Sequence, residues 1–169
     1  MSSPAKPSPK SPAPLLVLGW GNLSRGDDAL GPALVAALHQ RLPVALHAQV
    51  EFLEDYQLQI EHALDLLGRR AVLFVDASLS CAAPFEVRPV QARHDPSYTS
   101  HALSPEALLQ VFLDVQGYAP TLATLLAIRG ETFELGETMS PSAQAHLEAA
   151  LAWALTWVQD TLAGDGVSG

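Results

Sequence analysis

Two adjacent aspartates, Asp27 and Asp28, follow a glycine-containing turn, Gly19-Trp20-Gly21-Asn22-Leu23-Ser24-Arg25-Gly26, that leaves the apolar run beginning at Leu15. A third acid, Asp76, closes the apolar run Ala71 to Val75, and His101 stands at the junction of a polar loop with the helical pattern starting near Pro105. Two carboxylates and an imidazole make a donor set for a divalent transition metal, with positions left open for water or substrate. The same carboxylates suit acid–base chemistry in which Asp28 or Asp76 acts as general base without a direct bond to metal.

A glycine turn after a strand more often serves a phosphate. That use needs Gly-x-Gly-x-x-Gly opening into a helix whose positive N-terminus faces the anion. Here Gly19 and Gly21 fit, but Ser24 takes the third position and Asp27 and Asp28 place negative charge where the phosphate would sit. A phosphate loop fails too, since no Gly-Lys-Ser/Thr follows. The plain structural use of such acids is helix capping, where a carboxylate accepts from the free N–H groups of the first turn. One cap needs one acid, so we expect Asp27 to cap the helix and Asp28 to face the ligand.

Other nucleophiles and ligands are weaker. There is no Gly-x-Ser-x-Gly elbow, and Cys81 has no supporting motif, which predicts a small inert residue. His39, His47, His62 and His146 fall on faces of predicted helices or strands, while His94 competes with His101 from the same loop.

Several elements must position these groups. Leu15 to Gly19, Ala45 to Leu53, Ala71 to Val75, Pro84 to Gln91 and Leu122 to Ile128 read as strands, the fourth near an edge because of Pro89. Asp28 to Leu42, Leu58 to Leu67, Pro105 to Val115 and a long segment from Pro141, capped by Ser140, read as helices. Interleaved in this order they predict a three-layer α/β domain with a mostly parallel five-stranded twisted sheet. In such sheets ligands bind beyond the carboxyl ends of the strands, where Asp28 and Asp76 are expected to project.

The 169 residues suit one domain, expected over 15–163 between a disordered Pro/Ser/Lys tail (1–14) and a flexible C-terminus (164–169). The tail has no apolar core, so it predicts neither a signal peptide nor a membrane span. With 18 acidic and 9 basic residues, the formal charge of −9 works against nucleic-acid or anionic-membrane binding and favours a cationic ligand or basic partner. One cysteine closes no intramolecular disulfide, which predicts a reducing, cytoplasmic setting.

The pattern Gly21-Asn22-x-x-x-Gly26-Asp27-Asp28-x-x-Gly31-Pro32, then Asp76 after an apolar strand, then Ser100-His101 before a helix, resembles the nickel-iron hydrogenase maturation endopeptidases. The resemblance runs from about Leu15 to Leu162 and includes Phe133 to Ser140, similar to the family's turn before its last helix. The opening turn is most similar to the branch serving cytoplasmic NAD-coupled hydrogenases. The resemblance implies that the chain removes a C-terminal extension from a nickel-loaded hydrogenase large-subunit precursor. Asp28, Asp76 and His101 would bind nickel carried by the substrate, and no organic cofactor is implied. A non-catalytic metal chaperone or adaptor for that precursor is the alternative. This chain departs from the family at Ala29 (often Gly), at Glu54-Asp55-Tyr56 (often Asp-Gly-Gly) and at Arg129 (often a neutral amide).

Overall fold

Strand β1 (Leu15–Trp20) lies between β2 (Val50–Asp55) and β3 (Ala71–Ser78), and pairs in parallel with both. The chain is described by a computed structural model over residues 12–94, 103–120 and 122–164. β3 pairs in parallel with β5 (Leu122–Arg129), and β4 (Phe85–Pro89) adds antiparallel to β5, giving the order β2-β1-β3-β5-β4. The expected mostly parallel five-stranded sheet is present, with Pro89 on an edge strand, where a missing N–H is tolerated.

Alternation along the strands builds two cores. Leu15, Val17, Leu73 and Val75 face helices α1 (Leu30–Arg41) and α3 (Pro141–Gly164), and pack with Leu34, Leu38, Leu151 and Val158. Leu16, Leu18, Val72 and Phe74 face the other way, onto Leu108, Leu109 and Phe112 of α2 (Pro105–Gln116). The central strands are covered on both faces, which is why they read as unbroken apolar runs.

Helix ends follow their local chemistry. Ser104 Oγ accepts from the Ala107 N–H at 3.1 Å, Pro105 follows it, and Gly117 closes α2 at φ +82°. Ser140 Oγ accepts from the Ala143 N–H at 3.2 Å, as the Ser-Pro pair predicts for α3.

Three expected elements change. The segment read as the start of a strand at Ala45 is a 3₁₀ stretch, Val44–Gln49, and β2 begins only at Val50, because Leu15, the first residue of β1, pairs with Val50. The second helix is a 3₁₀ stretch, Ile60–Leu66, that buries only His62 and Leu66 and leaves Leu64 exposed. The first helix begins as a 3₁₀ turn, Gly26–Ala29, before α1 proper. Ahead of β1, the Ala13 and Pro14 carbonyls accept from Arg69 Nη1 and the Arg70 N–H, each at 2.8 Å, so packing starts before Leu15. Residues 1–11 and 165–169 lie outside the described residues.

Candidate active site

Because β2 and β3 flank β1 on opposite sides, the connections leaving β1 and β3 diverge and open a crevice at their carboxyl ends. The turn after β1 fills the floor of that crevice. Gly21 sits at φ +153°, and a Cβ there would overlap the Asp28 carbonyl oxygen. Only glycine lets the chain fold back this closely. The fold-back brings the Asn22 N–H to Asp28 Oδ2 at 2.9 Å, while the Asp28 N–H donates to the Arg25 carbonyl at 3.0 Å. Gly31 allows a similar approach, since a Cβ there would strike the Trp20 and Val75 carbonyl oxygens where α1 meets the strands.

Asp76 lies within β3 rather than just past it, opposite Ala127 of β5. On the other side, pairing with β1 ends at Val75, so Asp76 stands at the edge of the crevice. It shares a sheet face with Phe74, whose ring meets Trp20 edge-on at 6.1 Å. Burial and the nearby charge of Asp28 push the Asp76 carboxyl up to about 7, against hydrogen bonds from the Ala77 N–H and the Trp20 side chain that favour the charged form. Near neutral pH this group exchanges a proton readily, as an acid or base in catalysis must. The two predicted carboxylates thus lie at the same end of the sheet, near enough for the charge of Asp28 to act on Asp76.

His101 lies outside the described residues, as does Ser100. Among the described residues no group of three His, Cys, Asp or Glu side chains is arranged to hold a metal ion. His94, its competitor, is exposed.

Asp27 does not cap its own helix. It is fully buried and no side-chain cap is formed at that end; instead its carboxylate reaches the segment before α3. Oδ2 accepts from the Glu131 N–H at 2.7 Å, the Thr132 N–H at 3.2 Å and the Ser140 hydroxyl at 2.8 Å, and Oδ1 accepts from the Ser140 N–H at 2.7 Å. Burial alone would raise its pKa, but these donors more than offset that and hold it below the usual carboxylate range. Sequence logic missed this role because the partners are remote along the chain.

Beside Asp28 opens a cleft of about 380 Å³, walled by Gly21, Asn22, Leu23 and Pro32 on one side and Glu54, Asp55 and Tyr56 on the other. Asn22 Nδ2 donates to the Tyr56 hydroxyl at 2.9 Å and ties the walls together. His62, read from its spacing as an ordinary face residue, backs this wall. The Gln59 N–H donates to its Nδ1 at 2.8 Å, which leaves the ring proton on Nε2, 3.1 Å from Asp55 Oδ2. The other histidines keep structural partners: His39 stacks on Phe52, His47 Nε2 meets the Leu42 carbonyl and His146 Nδ1 that of Arg129. Cys81 is buried with its thiol against the Ala127 carbonyl, in keeping with an inert role. Arg129 donates from Nη1 to the Cys81 carbonyl at 2.8 Å and braces the end of β5.

No family model matches the chain. It is 28% identical over 152 residues to hydrogenase 2 maturation protease of Escherichia coli (strain K12), covering 87% of this chain and 92% of that protein. Among solved structures, hydrogenase maturating endopeptidase HybD from E. coli superposes with a TM-score of 0.65 at 25% identity, over 87% of this chain and 93% of that one. The [NiFe] hydrogenase maturation protease HycI from Thermococcus kodakarensis KOD1 shares the fold at a TM-score of 0.68 and 17% identity, over 87% and 93% of the two chains.

Proposed function

The chain is a homologue of the hydrogenase maturation endopeptidases, and on that premise we propose that it cuts the C-terminal extension from a hydrogenase large-subunit precursor once nickel has been inserted. One observation carries the chemistry. Asp28 and Asp76 lie at the carboxyl ends of β1 and β3, on either side of the switch point of the sheet, and burial together with the charge of Asp28 raises the Asp76 pKa to about 7. A carboxyl that exchanges its proton near neutral pH, beside a second acid, suits peptide hydrolysis at neutral pH.

In this reading the substrate brings the metal. Asp28, Asp76 and His101 are the side chains that would receive the nickel, and an acidic crevice suits a substrate with its own positive charge. Docking through the ion fixes the scissile peptide against the crevice, so a precursor without nickel is not cut. Water, activated either by the ion or by an unprotonated carboxylate of the pair that takes its proton, would then attack the carbonyl, and the C–N bond would break as that proton passes to the leaving amine nitrogen. The Asn22 N–H, bonded to Asp28 Oδ2, orients that carboxylate. A reducing cytoplasm fits the single buried thiol of Cys81. Among the described residues no helix is long and apolar enough to cross a membrane.

The deciding experiment mixes the purified protein with nickel-loaded precursor and follows release of the C-terminal peptide by mass spectrometry. Wild type releases it, while Asp28→Asn and His101→Ala do not. A precursor that is bound but keeps its full length would identify an adaptor instead, and unslowed release by both variants would overturn the site assignment.

A further inference from the structure

We propose that Asp27 is a positioning residue for Asp28, acting by latching the turn that carries the reactive carboxylate onto the segment that precedes α3. The proposal rests on the endopeptidase reading above for its activity assay, but not for its geometry.

The latch is larger than a helix cap needs. Ser140 Oγ already serves the Ala143 N–H at the start of α3, and Asp27 adds an acceptor for the Glu131, Thr132 and Ser140 N–H groups and for the Ser140 hydroxyl. Around it the two segments are cross-tied by backbone. The Asp27 N–H donates to the Thr132 carbonyl at 2.8 Å, the Gly26 N–H to Glu137 at 3.0 Å, and the Gly136 N–H to Ser24 at 2.6 Å. Gly130 allows the approach, since a Cβ there would lie 2.9 Å from the Asp27 Cβ. Asp27 and Asp28 are consecutive in one 3₁₀ turn, with Asp27 sunk into the protein and Asp28 bonded toward Asn22. A rotation of the turn that releases Asp27 must therefore swing Asp28 away from Asp76. A buried carboxylate with several N–H donors resists such rotation, because each donor loses its partner at once.

An amide in place of the carboxylate loses acceptor capacity and presents its NH₂ to N–H donors. Asp27→Asn should therefore lower kcat on nickel-loaded precursor by about tenfold or more. KM should rise as kcat falls, because Asp28 is also one of the side chains that would receive the substrate's nickel. Ser140→Ala, which removes a single donor, should give a smaller fall in kcat and serves if Asp27→Asn fails to fold. Val158→Ala, a buried truncation in α3 away from the latch, controls for simple loss of stability. It should lower Tm and leave kcat unchanged.

A second readout needs no substrate. In nuclear magnetic resonance spectra of Asp27→Asn, or of Ser140→Ala if the former does not fold, the Asn22 amide proton should move upfield as its bond to Asp28 weakens. Wild-type kcat in the latch variants, or an equal loss of kcat in Val158→Ala, overturns the proposal. If wild type fails to cut the precursor, the endopeptidase reading falls, and the Asn22 resonance alone decides: a shift upholds the latch and an unmoved signal overturns it.

Discussion

Ser140 meets the carboxylate of Asp27 twice, through its N–H and its hydroxyl, across 113 positions of sequence. Ser140→Ala removes the hydroxyl and with it the acceptor for the Ala143 N–H. We expect a loss of about 1–2 kcal/mol in urea unfolding at neutral pH, with the m-value unchanged. A variant as stable as wild type would show that the contact adds nothing.

Asp27 also predicts an acid limit. Its folded pKa lies below the ordinary value of 3.8, so its contribution is complete above that value and is lost as pH falls through the folded pKa. Unfolding followed from pH 6 downward should show stability dropping below about pH 4, and the drop should be shallower in Asp27→Asn. Parallel curves for the two proteins would contradict this.

Asp76 acts in the opposite sense. Its pKa is raised from 3.8 to about 7, so between those values the folded state holds more protons than the unfolded one and stability declines as pH rises. Asp76→Asn should be more stable than wild type at pH 8 by roughly 2–4 kcal/mol, with the difference vanishing near pH 4. Its activity should be lost at every pH.

Neighbours of Asp76 should tune it in known directions. Asp28→Asn removes a charge that raises the pKa, so the midpoint falls; Trp20→Phe removes a hydrogen bond that favours the charged form, so the midpoint rises. Carbon-detected titration of the Asp76 carboxyl measures both shifts. A midpoint unmoved by Asp28→Asn would mean that the two acids do not sense each other.

Gly21→Ala places a methyl group against the Asp28 carbonyl at a φ that side chains rarely adopt. We expect a loss of at least about 2 kcal/mol together with most of the activity, measured by thermal unfolding and peptide release.

The sheet was legible because its central strands are covered on both faces, so Leu15 to Leu18 and Ala71 to Val75 carry continuous apolar runs. Asp28 and Asp76 were legible because they follow those runs where an open sheet binds ligands. Val44–Gln49 was misread because its weak alternation suits a strand, while the pairing that decides the matter belongs to Leu15 and Val50. Asp27 was misread for a related reason: capping is local and visible in sequence, whereas its true donors lie after β5. Trp20 gave no signal of its bond to Asp76, because an aromatic at a strand end ordinarily reads as packing.

The tie between Asp27 and Ser140 gives the centre a place in the order of synthesis. A growing chain contains Asp28 and Asp76 long before residues 131–140 have been made, and until then Asp27 has none of the donors that hold its carboxylate. A nascent chain stopped ahead of Ser140 lacks two of those donors, and if the latch positions Asp28 it should carry both acids and cut poorly.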